Sequence, residues 1–238
     1  MPPLVGLIVP PASGKVPDDG GMLYPKRARF IARGLALPSI STMGYDTVID
    51  SVTAKAIELA DAGAKAISLM GTSLSFYRGA DFNRELITAI AAATGLPSTT
   101  MSEAVVRALR TVGARRVALA TAYTDDVNAR LIGFLQAEGF DIDAVKGLAI
   151  TDVVEVGDVP PDTLTALAQE VFAQAGTAQA VLISCGGLKT LGILEALEAR
   201  LGVPVISSSP AGFWDVVQLA HIDPVADGFG QLFHRRAS

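Results

Sequence analysis

The sequence predicts an α/β protein made of two small parallel-sheet lobes with a ligand cleft between them, and three observations predict it. First, short apolar runs alternate with stretches of helical periodicity along the whole chain. That is the pattern of strands buried on both faces by helices. Second, half of the 238 residues are hydrophobic and only 18% are charged. An Ala-, Val- and Leu-rich makeup with few aromatics suits such sheets better than an open sandwich. Third, one unit occurs twice. Ala66-Ile67-Ser68-Leu69-Met70-Gly71-Thr72 lines up with Ala180-Val181-Leu182-Ile183-Ser184-Cys185-Gly186, and Thr94-Gly95-Leu96-Pro97-Ser98-Thr99-Thr100 lines up with Leu201-Gly202-Val203-Pro204-Val205-Ile206-Ser207. Two matched segments in the same order imply two similar halves related by a pseudo-twofold, with the ligand where they meet. The expected division is 1–113 plus 221–238 for the N-terminal lobe and 114–220 for the C-terminal lobe.

In chain order, Leu4 to Val9 is a buried strand stopped by Pro10-Pro11. The connection from Ala12 to about Ile40 is long, and connections of that length contribute lids or site walls. Val48, Val52, Ile57 and Leu59 support a helix from Tyr45 to Ala62 that Gly63 can stop. A strand over Ala66–Met70 runs into Gly71-Thr72-Ser73, and a helix follows from Gly79 to Ala93. Leu96 to Thr100 is a short strand, after which Ser102 is expected to cap a helix to Val112. The pattern then restarts: a strand at 115–120, a helix capped by Thr124 and closed by Gly139, and a strand within 140–150. Pro160-Pro161 opens a helix to Ala175. The strand ending at Cys185, a helix from Leu191 to Leu201, a strand at 203–207 and a last helix from Ser209-Pro210 complete the set.

Composition narrows the function. A net charge of −5 without a Lys/Arg cluster argues against a nucleic-acid surface. The single cysteine excludes an intramolecular disulfide framework and fits a reducing cytosol. The longest uncharged stretch, Leu86 to Ser102, is interrupted by Thr94-Gly95-Leu96-Pro97 and does not have the form of a membrane span. The N-terminus lacks a basic signal region, so a cytoplasmic location is expected. No heptad pattern suggests an obligate partner, and a monomer is expected.

The stretch that organises the chemistry is Ala180 to Leu188. An apolar strand ends in Cys185, and Gly186 and Gly187 let backbone N–H groups approach a ligand closely. At the C-terminal end of a parallel strand, Cys185 would stand at the mouth of a site, with Gly71 opposite in the first half. A lone cysteine is otherwise a small buried hydrophobe. No G-x-G-x-x-G follows a strand and no G-x-x-x-x-G-K-[ST] occurs, so neither a dinucleotide nor a nucleoside triphosphate is implied. His221 and His234 lack metal-ligand spacing, and a Ser-His or Cys-His hydrolase is unattractive. What remains is one thiol, several hydroxyls and glycine-adjacent amides, equipment for proton transfer beside a stabilised anion.

These residues carry a resemblance. Gly6-Leu7-Ile8-Val9-Pro10-Pro11-Ala12, Ser68 to Gly79, Ala118 to Tyr123 with Asp125-Asp126-Val127-Asn128, Ser184 to Leu188, and Ser207 to Asp215 together resemble the aspartate/glutamate racemase superfamily. Within it they are similar to the arylmalonate decarboxylase family. The resemblance implies two Rossmann-like lobes with the active site in the cleft, no cofactor and no metal, and a small dicarboxylate as substrate. Two-base members of the superfamily carry a cysteine at the equivalent strand end of each half. This chain has Gly71 at the first position, so one thiol must serve alone.

The resemblance implies decarboxylation of a disubstituted malonate through an enediolate that Cys185 protonates on one face. It assigns the hydrogen-bond donors for the developing oxyanions to Thr72, Ser73, Tyr123 and the backbone around Cys185 and Gly186, and counts Gly187 among the substrate-binding residues. It places the departing carboxylate among Leu37, Ile40, Leu74, Val153 and Val156, with Tyr45 closing that pocket and Pro10 and Pro11 shaping its floor. At Ile40 and Val156 the chain departs from the family in side-chain size, which leaves the preferred substrate size open. Two other readings stand beside this one: a racemase or isomerase with an unrecognised second base, and a non-catalytic binder of small dicarboxylates.

Overall fold

Strands β1 (Leu4–Val9), β2 (Arg29–Gly34), β3 (Ala66–Leu69) and β4 (Ser98–Thr100) form one four-stranded sheet in the computed structural model, which describes residues 1–236. Strands β5 (Arg116–Thr121), β6 (Asp141–Gly147), β7 (Ala180–Ser184) and β8 (Val205–Ser207) form the other. Every pairing is parallel. The orders are β2-β1-β3-β4 and β6-β5-β7-β8, so the halves share one topology. The matched sequence segments occupy equivalent strands, β3 with β7 and β4 with β8. Residues 237–238, the end of the expected 221–238 segment, lie outside the described residues.

The helices are α1 (Asp19–Leu23), α2 (Thr42–Val48), α3 (Val52–Asp61), α4 (Thr72–Phe76), α5 (Ala80–Thr94) and α6 (Met101–Thr111) in the first half. In the second they are α7 (Asp125–Ala137), α8 (Pro161–Ala175), α9 (Leu194–Leu201) and α10 (Ser208–Leu219). Helix α3 covers β1, β2 and β3, and α8 covers β5, β6 and β7. Covered on both faces, β1, β3, β5 and β7 are apolar and buried almost throughout, as uninterrupted hydrophobic runs require. Helices α6 and α10, which leave β4 and β8, pack on one another between the sheets. Helix α6 touches β4 and β8, and α10 touches β3, β4, β7 and β8.

Gly95 and Gly202 close α5 and α9 in the left-handed region, at φ +67° and +73°. Both stand just before the Leu96-Pro97 and Val203-Pro204 turns into β4 and β8. A side chain there would strain the backbone, which explains glycine at both copies of the repeat.

The long connection after β1 holds α1 and the edge strand β2, whose Arg29 and Arg33 interrupt any apolar run. Three expectations are corrected. The helix expected over Tyr45–Ala62 starts earlier, where the Ser41 hydroxyl accepts from the Gly44 N–H at 3.1 Å, and a 3-10 turn at Ile49–Ser51 divides it into α2 and α3. Thr100, not Ser102, caps α6 by accepting from the Glu103 N–H at 3.1 Å. Thr124 occupies the N-cap position of α7 without a side-chain capping bond. After α10 the chain returns to the first half, where the Tyr24 hydroxyl donates to Pro224 O at 3.1 Å and Arg27 to Val225 O at 2.7 Å. No described helix is long and apolar enough to cross a membrane.

Candidate active site

The C-terminal ends of β1, β3 and β7 open into one cavity of about 340 Å³, where parallel sheets bind ligands. Val9, Pro10 and Pro11 enter it from β1, and Met70, Gly71, Thr72 and Ser73 from the turn between β3 and α4. Cys185 to Lys189 follow β7, and Leu37, Ile40, Val153, Val156 and Gly157 come from two loops. Those loops belong to different halves and are tied together, the Ile40 N–H donating to Thr151 O at 2.8 Å.

Helix α4 has only five residues and could not persist alone. Its first turn is fastened from below. The Ser75 hydroxyl is 3.0 Å from both Gly71 O and Thr72 O, and Ser102, 2.7 Å from Ser75, donates to Thr72 O at 2.9 Å. Phe76 anchors the other end, stacking on Phe134 at 6.1 Å and meeting the Tyr123 ring edge-on at 5.8 Å. Thr72 and Ser73 are thus held facing the cavity. The Thr72 hydroxyl donates to the Met101 sulfur at 2.9 Å. A thioether is a weak acceptor, readily exchanged for an anionic oxygen.

Cys185 is 7% exposed. Burial pushes its thiol up to about 11, opposed by the Gly187 N–H and the Tyr123 hydroxyl, both of which favour the thiolate. The thiol is therefore protonated at neutral pH, the state a proton donor needs. Tyr123 is itself fully buried, which raises its pKa well above the usual phenol value, and the Ser184 hydroxyl approaches its oxygen at 3.4 Å. After Cys185 the chain turns tightly, and a Cβ on Gly186 would come within 2.9 Å of the Met101 sulfur. One on Gly187 would come equally close to Val156 Cγ1, at 2.9 Å. The two glycines let α6 and the Val156 loop close against the cysteine turn.

The cavity brings together Pro10, Pro11, Leu37, Ile40, Gly71, Thr72, Ser73, Val153, Val156, Cys185, Gly186 and Gly187. Tyr45, Leu74 and Tyr123 do not line it. Leu74 is buried beside Gly71, 3.2 Å from where a Cβ on that glycine would lie. The Tyr123 hydroxyl favours the Cys185 thiolate, and the buried Tyr45 phenol is electrostatically coupled to both groups.

The cavity also has a set of polar lining residues to which the sequence assigned no role in the site. They are Ser13, Lys15, Asp18, Asp19, Lys189 and Ser209. Lys15 pairs with Asp18 at 3.2 Å. The Ser209 hydroxyl donates to Asp19 at 2.6 Å, and burial raises the Asp19 pKa. The length of the 12–40 connection was a signal for this wall; the Asp19–Ser209 pairing spans most of the chain and leaves no local mark. Among the described residues, no group of three His, Cys, Asp or Glu side chains could hold a metal ion.

Comparison with known proteins extends this picture. The family model of arylmalonate decarboxylase matches residues 5–233. The arylmalonate decarboxylase of Bordetella bronchiseptica is 53% identical over 232 residues, which is 97% of this chain and 96% of that protein. Among solved structures, a liganded double mutant of arylmalonate decarboxylase superposes with a TM-score of 0.95 at 52% identity, covering 97% of this chain and 98% of that one. The maleate isomerase Iso from Pseudomonas putida S16 shares the fold at a TM-score of 0.90 and 20% identity, over 98% of both chains.

Proposed function

The chain belongs to the arylmalonate decarboxylase family, and from that premise we propose that it decarboxylates aryl- or alkenyl-substituted malonates without a cofactor, using Cys185 as the stereospecific proton donor. The observation that carries this reading is the asymmetry of the two strand ends. A buried, protonated thiol follows β7, a glycine follows β3, and both line one cavity.

In the proposed reaction one carboxylate of the substrate is retained among the Thr72 and Ser73 hydroxyls and the Gly186 N–H, which line the cavity, and the Tyr123 hydroxyl joins them when its buried side chain turns toward the substrate. The other occupies the apolar pocket of Leu37, Ile40, Val153 and Val156, with Leu74 behind. Its bond to the central carbon breaks, CO2 leaves, and the electron pair passes through that carbon into the retained carboxylate as an enediolate. Donors aimed at those oxygens lower the barrier because they strengthen as negative charge develops. An apolar surround favours loss of charge from the departing group. The Cys185 S–H then delivers its proton to the central carbon from one face, and the thiolate recovers a proton from solvent.

The test is CO2 release from 2-methyl-2-phenylmalonate in D2O with EDTA present. One deuterium in a single enantiomer of the monoacid is expected. Racemic product, or binding without CO2 release, would overturn the reading in favour of an isomerase or a dicarboxylate binder.

A converse experiment uses the other strand end. Gly71 has an extended backbone, φ −137°, and a Cβ there would meet Leu74 Cβ at 3.2 Å and Pro10 Cγ at 3.3 Å. A small side chain therefore fits with minor adjustment. Gly71→Cys should supply a second thiol on the opposite face, and 2-phenylpropionate incubated with it in D2O should exchange its α-proton and lose optical purity. An unchanged enantiomeric excess would show that the two strand ends do not address opposite faces of one carbon.

A further inference from the structure

Two cations of the cavity take no part in the reaction described above. Lys15 and Lys189 are the cationic side chains among its lining residues. Both are exposed, so they stand where the cavity meets solvent.

The fold fixes the backbone under each. Lys189 lies between Leu188 and Thr190, which are buried. The Leu188 N–H donates to Cys185 O at 3.2 Å, and the Thr190 and Ser207 hydroxyls bond one another at 2.6 Å. Lys15 follows Gly14, whose N–H donates to Pro11 O at 3.3 Å and whose backbone is left-handed at φ +58°. A run of contacts joins the two positions. Lys15 pairs with Asp18, the adjacent Asp19 accepts from Ser209, and Ser207, two residues before Ser209, bonds Thr190 beside Lys189. One ammonium thus reaches the cavity from the first half, after β1, and the other from the second, after β7.

The acidic groups beside them leave room for a further anion. The Lys15–Asp18 pair, at 3.2 Å, is largely exposed on both sides, and such a pair is weak enough to be exchanged for a ligand carboxylate. Lys189 has no ion-pair partner among the described residues. The Asp19 carboxyl is taken up by Ser209, and burial works against its charged form.

We propose that Lys15 and Lys189 bind an acidic group carried on the larger substituent of the substrate's central carbon, so that carboxyaryl malonates are preferred; the assignment rests on the malonate reading above. The malonate group itself is met by Thr72, Ser73, Gly186 and the apolar pocket, which leaves the substituent to face the lysines. Val16, Pro17 and Leu188 line the same cavity next to them in the chain and offer apolar surface for the ring between the two charged ends. A pair this far from the reacting carbon holds ground state and transition state alike. Its effect belongs in KM rather than in kcat.

Calorimetric binding in the Cys185→Ala background tests this. The probes are phenylmalonate, its 3- and 4-carboxyphenyl derivatives, and the matching carboxamides, which keep the shape without the charge. At least one carboxylate should bind about tenfold tighter than its carboxamide, and Lys15→Gln combined with Lys189→Gln should abolish that preference. Both substitutions are at exposed positions, and circular dichroism checks the fold. With Cys185 present, the carboxylate's advantage should appear as a lower KM. No preference at either ring position, a preference that survives the double substitution, or equal weakening of carboxylate and carboxamide would each overturn the assignment. So would a preference for an aminomethyl-substituted ring over both, which would give the recognition to Asp18 and Asp19. If phenylmalonate is neither bound nor decarboxylated, the malonate reading falls and takes this one with it. If phenylmalonate turns over and the carboxylate brings no advantage, this assignment alone falls.

Discussion

Cys185→Ala should lower kcat by about a thousandfold or more while the protein keeps its circular dichroism spectrum and thermal midpoint. The expectation follows from placement: the thiol is the cavity's one buried sulfhydryl, and alanine leaves the oxyanion donors standing. A variant that retains turnover would remove Cys185 from the chemistry. The pH profile of the unchanged protein supplies an independent check. An ordinary thiol loses its proton near pH 8.5, but burial pushes Cys185 up to about 11. The acid form is the working form, so kcat should stay level through pH 9 and fall as the pH approaches that value. A loss centred near 8.5 would mean that the thiol is solvated during turnover.

The second large effect concerns the contact between the halves. Asp215 on α10 is 1% exposed and accepts from the Thr99 hydroxyl at 2.6 Å and from Arg107 on α6 at 3.2 Å. Burial raises the Asp215 pKa, and Arg107 is the first group that opposes it. Arg107→Met would leave a buried carboxylate with one hydroxyl. We expect a loss of about 2–3 kcal/mol at pH 7, below the value for a fully buried pair because the arginine is partly exposed. The sign with pH is fixed by the raised pKa. The folded variant binds a proton more readily than the unfolded chain, so the deficit against the parent should shrink as pH falls from 7 to 5. Thermal midpoints of both proteins at the two pH values measure it; a deficit that grows on acidification would show that Asp215 is not the group left unpaired.

Much of this architecture was legible in the chain. Strands β3 and β7 are buried throughout, so their sequences are mostly apolar, with Ser68 and Ser184 the exceptions, and the glycine or cysteine that follows each marks the sheet's rim. The duplicated Thr-Gly-Leu-Pro and Leu-Gly-Val-Pro turns disclosed the two-half topology because positive φ leaves little choice but glycine. The edge strand β2 escaped notice for the opposite reason. One side of it faces solvent, and Arg29 and Arg33 disturb the pattern. Thr100 and Ser102 are both competent caps two residues apart, and only the turn's geometry decides which hydroxyl meets the free amide. The site divided in the same way. Its thiol, glycines and hydroxyls follow strands and could be located by counting from them. The Asp19–Ser209 pair and the meeting of Lys15 and Lys189 at one cavity depend on distant segments converging, which no local spacing records.

The packing of α6 against α10 has a consequence for how the molecule opens. Each helix leaves one sheet and touches the other, so the apolar interior of each half is completed by a helix shared with its neighbour. Detaching either would strip cover from both sheets together. Amide protons of β3 and β7 should therefore have no cheap local route to solvent and should exchange only when the whole molecule unfolds. The rim that carries Cys185 is then as rigid as the fold is stable, and the loops around the cavity are left as the places where substrate and product can pass.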